Sequence, residues 1–155
     1  MTSIQEKIKA AATADGTPWV FGSMNYINLL MDQLHQVRKY PCALSVQPID
    51  GHFDTDADGA YSITRHDTEH VVIGYADTVG PKDAPEQVNA RVAALKRRCL
   101  VLLDALEAGG DFAPVSSQVN YSVLYDALDA SMVIVLMDFY LRELAPACLD
   151  AADAR

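Results

Sequence analysis

Residues 119–141 read VNYSVLYDALDASMVIVLMDFYL, and two folds compete for them. Val119, Tyr121, Val123 and Tyr125 alternate with Asn120, Ser122, Leu124 and Asp126; Val133, Val135, Met137 and Phe139 alternate with Ile134, Leu136 and Asp138. A period of two is the signature of a pleated strand, and DALDA between the runs has the composition of a turn. The competing reading is a single buried helix, because Leu124, Leu128, Met132, Val135 and Phe139 also fall on one helical face. β-branched and aromatic residues pack best on a pleated surface, and that content favours a C-terminal β-hairpin.

Upstream, the stripe of Val88, Val92, Leu95, Cys99, Leu102 and Leu106 steps by four and three, which predicts a long amphipathic helix over about 84–108. Asp83 is the expected N-cap, with Glu86 completing a capping box and Pro85 in the first turn. Gly109-Gly110 stops the helix. At 1.5 Å per residue it would run roughly 37 Å, enough to cross a whole sheet. Before it, EHVVIGYAD (69–77), with Val71-Val72-Ile73 and Tyr75, reads as a strand, as do AYSIT (60–64) and CALSVQPI (42–49). Residues 2–13 predict a short helix carrying Ile4, Ile8 and Ala11 or Ala12, ended by Asp15-Gly16 and Pro18; TPWVF then looks extended. Ser23 is placed to cap a further helix with Ile27, Leu30, Met31 and Leu34 on one side. The fold class expected is α+β. A mainly antiparallel sheet packs against the long helix in one domain over 1–142, with a short helical or frayed tail over 143–155.

Residues 54–65, DTDADGAYSITR, place Asp54, Asp56, Asp58 and Gly59 where a calcium-binding EF-hand loop has its first ligands and its turning glycine. Position twelve, which should be a bidentate glutamate, is Arg65, and the flanking stretches look extended rather than helical. The reading preferred is therefore a solvated loop joining two strands. A small acidic binding module with a weak divalent-cation site on Asp54, Asp56 and Asp58 is the alternative.

At 155 residues the chain is long enough to bury one core, and its 50% apolar and 21% charged residues are ordinary for a globular domain. A net charge of −9 argues against nucleic acid as a partner, because phosphate binding needs clustered Lys and Arg. Three scattered cysteines, Cys42, Cys99 and Cys148, make no disulfide framework and suggest a reducing, cytoplasmic setting. The N-terminus lacks the pattern of a signal peptide, and the longest apolar run, MVIVLM, is too short to span a bilayer.

Tests for chemistry return no catalytic residues, cofactor or metal. His66 and His70 are four apart, but on a strand that spacing spans roughly 13 Å and two such histidines cannot share one zinc. The expectation is two polar side chains on a solvent-facing strand, with His35 and His52 likewise unassigned. Cys99 lies on the apolar stripe and Cys42 in a strand, so both are expected to be packed rather than reactive. No GxSxG, GxGxxG or P-loop occurs. Arg91, Lys96, Arg97 and Arg98 form the one basic cluster, off the apolar stripe. In a homo-oligomer this cluster could meet Asp54, Asp56 and Asp58 of the next subunit, so these seven residues are the interface candidates.

The order of elements, together with KYPCALSVQP (39–48), RHDTEHVVIGYAD (65–77) and NYSVLYDALDASMVIVLMDFYL (120–141), resembles the tail-terminator and head–tail joining proteins of long-tailed phages and prophages. The resemblance covers roughly residues 2–142. It implies an α+β fold without catalytic residues, and a homo-oligomeric ring, often hexameric, at the end of the tail tube. The implied partners are other tail or neck proteins in the bacterial cytoplasm and then in the virion. The acidic stretch and residues 23–39 are additions relative to compact members of that family.

Overall fold

The computed structural model describes residues 3–23, 41–58, 62–80, 82–125 and 132–147. The helix expected after Ser23, the connection between residues 125 and 132, and residues 148–155 lie outside the described residues. Those described form an α+β arrangement of two helices and a mixed six-stranded sheet.

Helix α1, Ile4–Ala12, begins at a capping box. The Ser3 hydroxyl accepts from Glu6 N at 3.1 Å, and the Glu6 carboxylate accepts from Ser3 N at 2.8 Å. Two backbone donors that the first turn leaves open are thereby satisfied. Ile4, Ile8 and Ala12 face inward, at the helical spacing read from the sequence. Strands β1 (Trp19–Gly22) and β2 (Cys42–Val46) run parallel, which makes the sheet mixed.

Strand β4, Ser62–Thr78, is 17 residues long and has two successive partners on one edge. Its C-terminal half pairs with β2, Cys42 opposite Ala76; its N-terminal half pairs with β3 (Asp50–Asp58), Asp50 opposite His70. Four residues, 46–49, thus lie against two of β4, Val72 and Val71. This bulge-like offset holds Pro48, which has no N–H to give a ladder. Sequence alternation had joined CALSVQPI into one strand; the chain breaks it at the proline.

The stretch read as an acidic loop, residues 54–58, belongs to strand β3. Asp54, Asp56 and Asp58 recur at a period of two, which is strand spacing as much as loop-ligand spacing. Their partners on β4, from Ser62 to His66, supply the ladder.

Strand β6, Met132–Arg142, pairs antiparallel with β4 along eleven residues, and β5, Asn120–Tyr125, pairs antiparallel with β6. The sheet order is β1-β2-β4-β6-β5, with β3 continuing β2 beside β4. Gly74 sits where strands crowd: a Cβ there would lie 1.7 Å from the Val135 carbonyl oxygen.

Helix α2, Pro85–Ala108, crosses one face of the sheet and buries Val92, Leu95, Cys99, Leu102 and Leu106. Its start differs from the expectation. Ala84 is the N-cap, and its N–H donates to Gln87 Oε1 at 2.8 Å. Asp83 instead accepts from Gly80 N at 2.7 Å and pairs with Arg91 at 3.4 Å. Gly110, at φ +74°, takes the chain out of the helix.

The main core lies between this face and the helices: Ile4, Ile8, Leu95, Cys99 and Leu102 against Val71, Ile73, Tyr75, Val133, Val135 and Met137. The opposite face holds a second buried cluster of Val20, Cys42, Leu44, Ala76, Met132 and Ile134. Apolar side chains therefore line both faces of β2, β4 and β6, which explains the unbroken MVIVLM run in a central strand. After β6 the chain stays docked: Glu143 N donates to Asp67 O, Leu144 N to Asp111 O and Ala147 N to Arg65 O. Residues 143–147 are thus held against β4, where the sequence had suggested a helical or frayed tail.

Candidate functional site

Beyond the second apolar cluster, the same sheet face turns polar. Here even-numbered residues of β3, β4 and β6 share one side, so His52, Asp54 and Asp56 meet His66, Thr68 and His70, and Asp138, Tyr140 and Arg142. Arg142 is the hub. Its Nη2 donates to Asp56 Oδ2 at 2.8 Å, and its Nε lies 3.5 Å from Asp54 Oδ2. Thr68 Oγ1 donates to Asp54 Oδ2 at 2.6 Å. The Thr68 hydroxyl is the main reason that the Asp54 pKa falls below its ordinary value; for Asp56 it is the Arg142 hydrogen bond.

Each described histidine here faces an aspartate. His52 Nε2 is 3.1 Å from Asp54, His66 Nε2 is 3.0 Å from Asp56, and His70 Nε2 bonds Asp138. His66 is buried, with Nδ1 3.1 Å from the Glu143 carbonyl. The expectation of a solvent-facing side chain fails for it, because the docked 143–147 segment covers that end of β4. His70 stacks on Tyr140, ring centroids 5.0 Å apart. The patch is a charge-paired surface. Among the described residues no group of three or more His, Cys, Asp or Glu is arranged to hold a metal ion. Asp54 and Asp56 turn toward the Arg142 guanidinium. Asp58 lies in β3, and its side chain and Gly59 are outside the described residues.

The basic cluster on α2 is divided. Arg91 bonds the Thr78 carbonyl and Asp83. Arg98 donates to Thr17 Oγ1 at 3.1 Å, lies 3.5 Å from Asp15 and sits over the Tyr75 ring. Lys96 donates to the Tyr121 hydroxyl at 2.9 Å and lies 4.5 Å from that ring's centroid, so its charge has a neutral partner. Arg97 is exposed. The two predicted interface groups stand on different parts of the molecule, and most of their charges are met within the chain.

Sequence reasoning missed other features. A half-open cavity of about 400 Å³ lies between α2 and the β5 edge. Its walls include Cys99, Leu103, Val119, Val135 and Met137, with Lys96 at one end and Asp104 and Glu107 at the other. Leu100 and Tyr121 stand at its mouth, both exposed. On the opposite edge of the sheet, Phe53 is 64% exposed. Its signal was present as the lone aromatic in GHFDTDAD, but it fell between the expected strand over 42–49 and the expected loop over 54–65 and so had no face. Cys42 and Cys99 are buried, and burial pushes both thiols up to about 12. Neither is a nucleophile near neutrality.

No family model matches this chain, and a search of the curated proteins finds no match. Among the described residues no helix is long and apolar enough to cross a membrane.

Proposed function

We propose that this chain is a non-enzymatic structural protein that assembles with copies of itself into a ring. In this reading it completes or joins the tail of a long-tailed phage or prophage, with other tail or neck proteins as neighbours. It is made in the bacterial cytoplasm and carried into the virion. The finer architecture belongs to the reading: a long amphipathic helix across the sheet, a closing C-terminal hairpin, and one domain over 1–142.

One observation carries it. Among the described residues β5 ends the sheet on one side and β1 and β3 on the other; β3 is guarded by its aspartates, but the β5 edge is not blunted in the usual way. β5, NYSVLY, is exposed or half-exposed throughout and has no charge and no proline; β3 exposes Phe53 on the other side. An uncharged open edge is a template for further pairing, and proteins that stay monomeric normally protect it. Subunit contact supplies the protection. The paired carboxylates and raised thiols support a passive role, since they leave no activated nucleophile among them.

The test is size-exclusion chromatography with light scattering on the purified chain, alone and with tail tubes, followed by electron microscopy. The expected outcome is a closed ring, or a monomer that assembles on tube ends. A chain that stays monomeric in both settings, from a gene set apart from capsid, tube and tape-measure genes, overturns the reading.

A further inference from the structure

The two open edges differ in a complementary way. The β3 edge offers a knob, Phe53. The β5 edge offers a hole, the cavity beneath α2. We propose that Phe53 of one copy seats in the α2–β5 cavity of the next, with strand β3 of the first lying beside β5 of the second. This inference rests on the ring reading and names its contact.

Strand direction permits it. β3, β4, β6 and β5 alternate in direction across the sheet. A like-oriented second copy beside β5 therefore presents its β3 antiparallel, and the alternation continues through the contact. Faces agree as well. Phe53 shares a face with Asp67, its partner on β4, and Tyr121 shares that same face through Met137 and Ile73. α2 covers this face, so Phe53 arrives on the side where the cavity opens. Because Phe53 is level with Asp67 and Tyr121 with Ile73, the next copy is displaced along the strands.

Charge fixes the orientation. On its own face Phe53 is level with Asp67 and is flanked toward one end of β4 by Glu69 and toward the other by Arg65. α2 runs opposite to β4, from a contact with Thr78 at its start toward residues 111 and 112, which bond Leu144 and Glu143. Lys96 thus lies at the end of the hole matching Glu69, and Asp104 and Glu107 at the end matching Arg65. In like-oriented copies each end of the knob meets its opposite; reversed copies would juxtapose like charges. A knob and a hole on different parts of one surface make a heterologous contact, which closes into rings or continues as filaments.

The experiment uses two variants at exposed positions, Phe53→Ser, which spoils the knob, and Leu100→Glu, which spoils the mouth of the hole. Each is expected to keep the wild-type melting temperature and to weaken self-association by at least about 30-fold. Mixed one to one they should form only heterodimers, because the mixture holds one intact knob facing one intact hole. Arg65→Glu and Glu107→Arg should each weaken assembly, and the double variant should recover most of it. If the wild type forms rings and Phe53→Ser still does, the contact is wrong and the ring reading stands. Loss with Leu100→Glu but not Phe53→Ser would indicate a symmetric β5–β5 contact and also overturn the proposal. A wild type that never associates overturns both.

Discussion

Arg142 holds Asp54 and Asp56 from the next strand but one, and the three side chains explain why an acidic stretch can sit in a strand of an acidic protein. Two carboxylates at alternate positions of β3 would repel each other; one guanidinium between them offsets this. The sign of the pH effect follows. Both aspartates titrate lower in the folded protein than in the unfolded chain, so their contribution is present above the unfolded value near 3.8 and is lost as pH falls through the lower folded values. Arg142→Gln is therefore expected to lower stability slightly at pH 7, with a difference that vanishes in strong acid. Urea unfolding at a series of pH values measures it. Lys7 and Glu143 form a more sheltered pair at 3.1 Å, linking α1 to the chain beyond β6. Lys7→Met strands a buried carboxylate and should cost about 2 kcal/mol, most of it recovered when Glu143→Gln is added. The thiols give a third check at this scale. With both pushed up to about 12 and buried, Cys42 and Cys99 should resist iodoacetamide at pH 8 and label only in denaturant, read by mass spectrometry.

At the scale of elements, α2 and the β4–β6 pair decide stability. Leu102 is 1% exposed and Leu100 62%, two residues apart on one helix. Leu102→Ala should cost about 3 kcal/mol through lost burial and a cavity, and Leu100→Ala next to nothing. Gly74→Ala drives a methyl group into the β6 backbone, which cannot retreat as a flexible side-chain end would; a loss of at least about 2 kcal/mol is expected from denaturant unfolding. The stripe Val92, Leu95, Cys99, Leu102 and Leu106 was legible because a helix with one buried face must repeat near 3.6. Its N-cap was not. Asp83 and Glu86 satisfy a capping rule as well as any residues do, but Asp83 is drawn to Arg91 and Gly80, contacts that a linear pattern does not contain. CALSVQPI misled in the same way: alternation described its faces, and the break at Pro48 became visible only once β4 supplied both halves with a partner.

Across the whole molecule, protection should fall from centre to rim. β4 residues 68–70 and 73–76 have strands on both sides, whereas residues 62–64 pair only with β3, and a two-stranded ribbon is marginal in water. Amide hydrogen exchange is expected to be slowest at 73–76 and 133–138 and fastest at 53–58 and 62–64. On assembly, new protection should appear at 51–56 and 120–125, the two edges proposed to meet.

The sequence by itself determined the periodicities, and with them α1, the buried face of α2, the strand character of 69–77, 120–125 and 132–141, and the α+β class. Each follows from local sterics and from which side chains must leave water, properties that a short window of residues carries. Only the tertiary structure decided that Asp54 and Asp56 answer to Arg142, that His66 is covered, that Lys96 leans on Tyr121, and that a cavity opens beneath β5 while Phe53 stands bare on the far edge. Those facts depend on which distant residues the sheet places side by side, and strand order and register join positions that no local window spans.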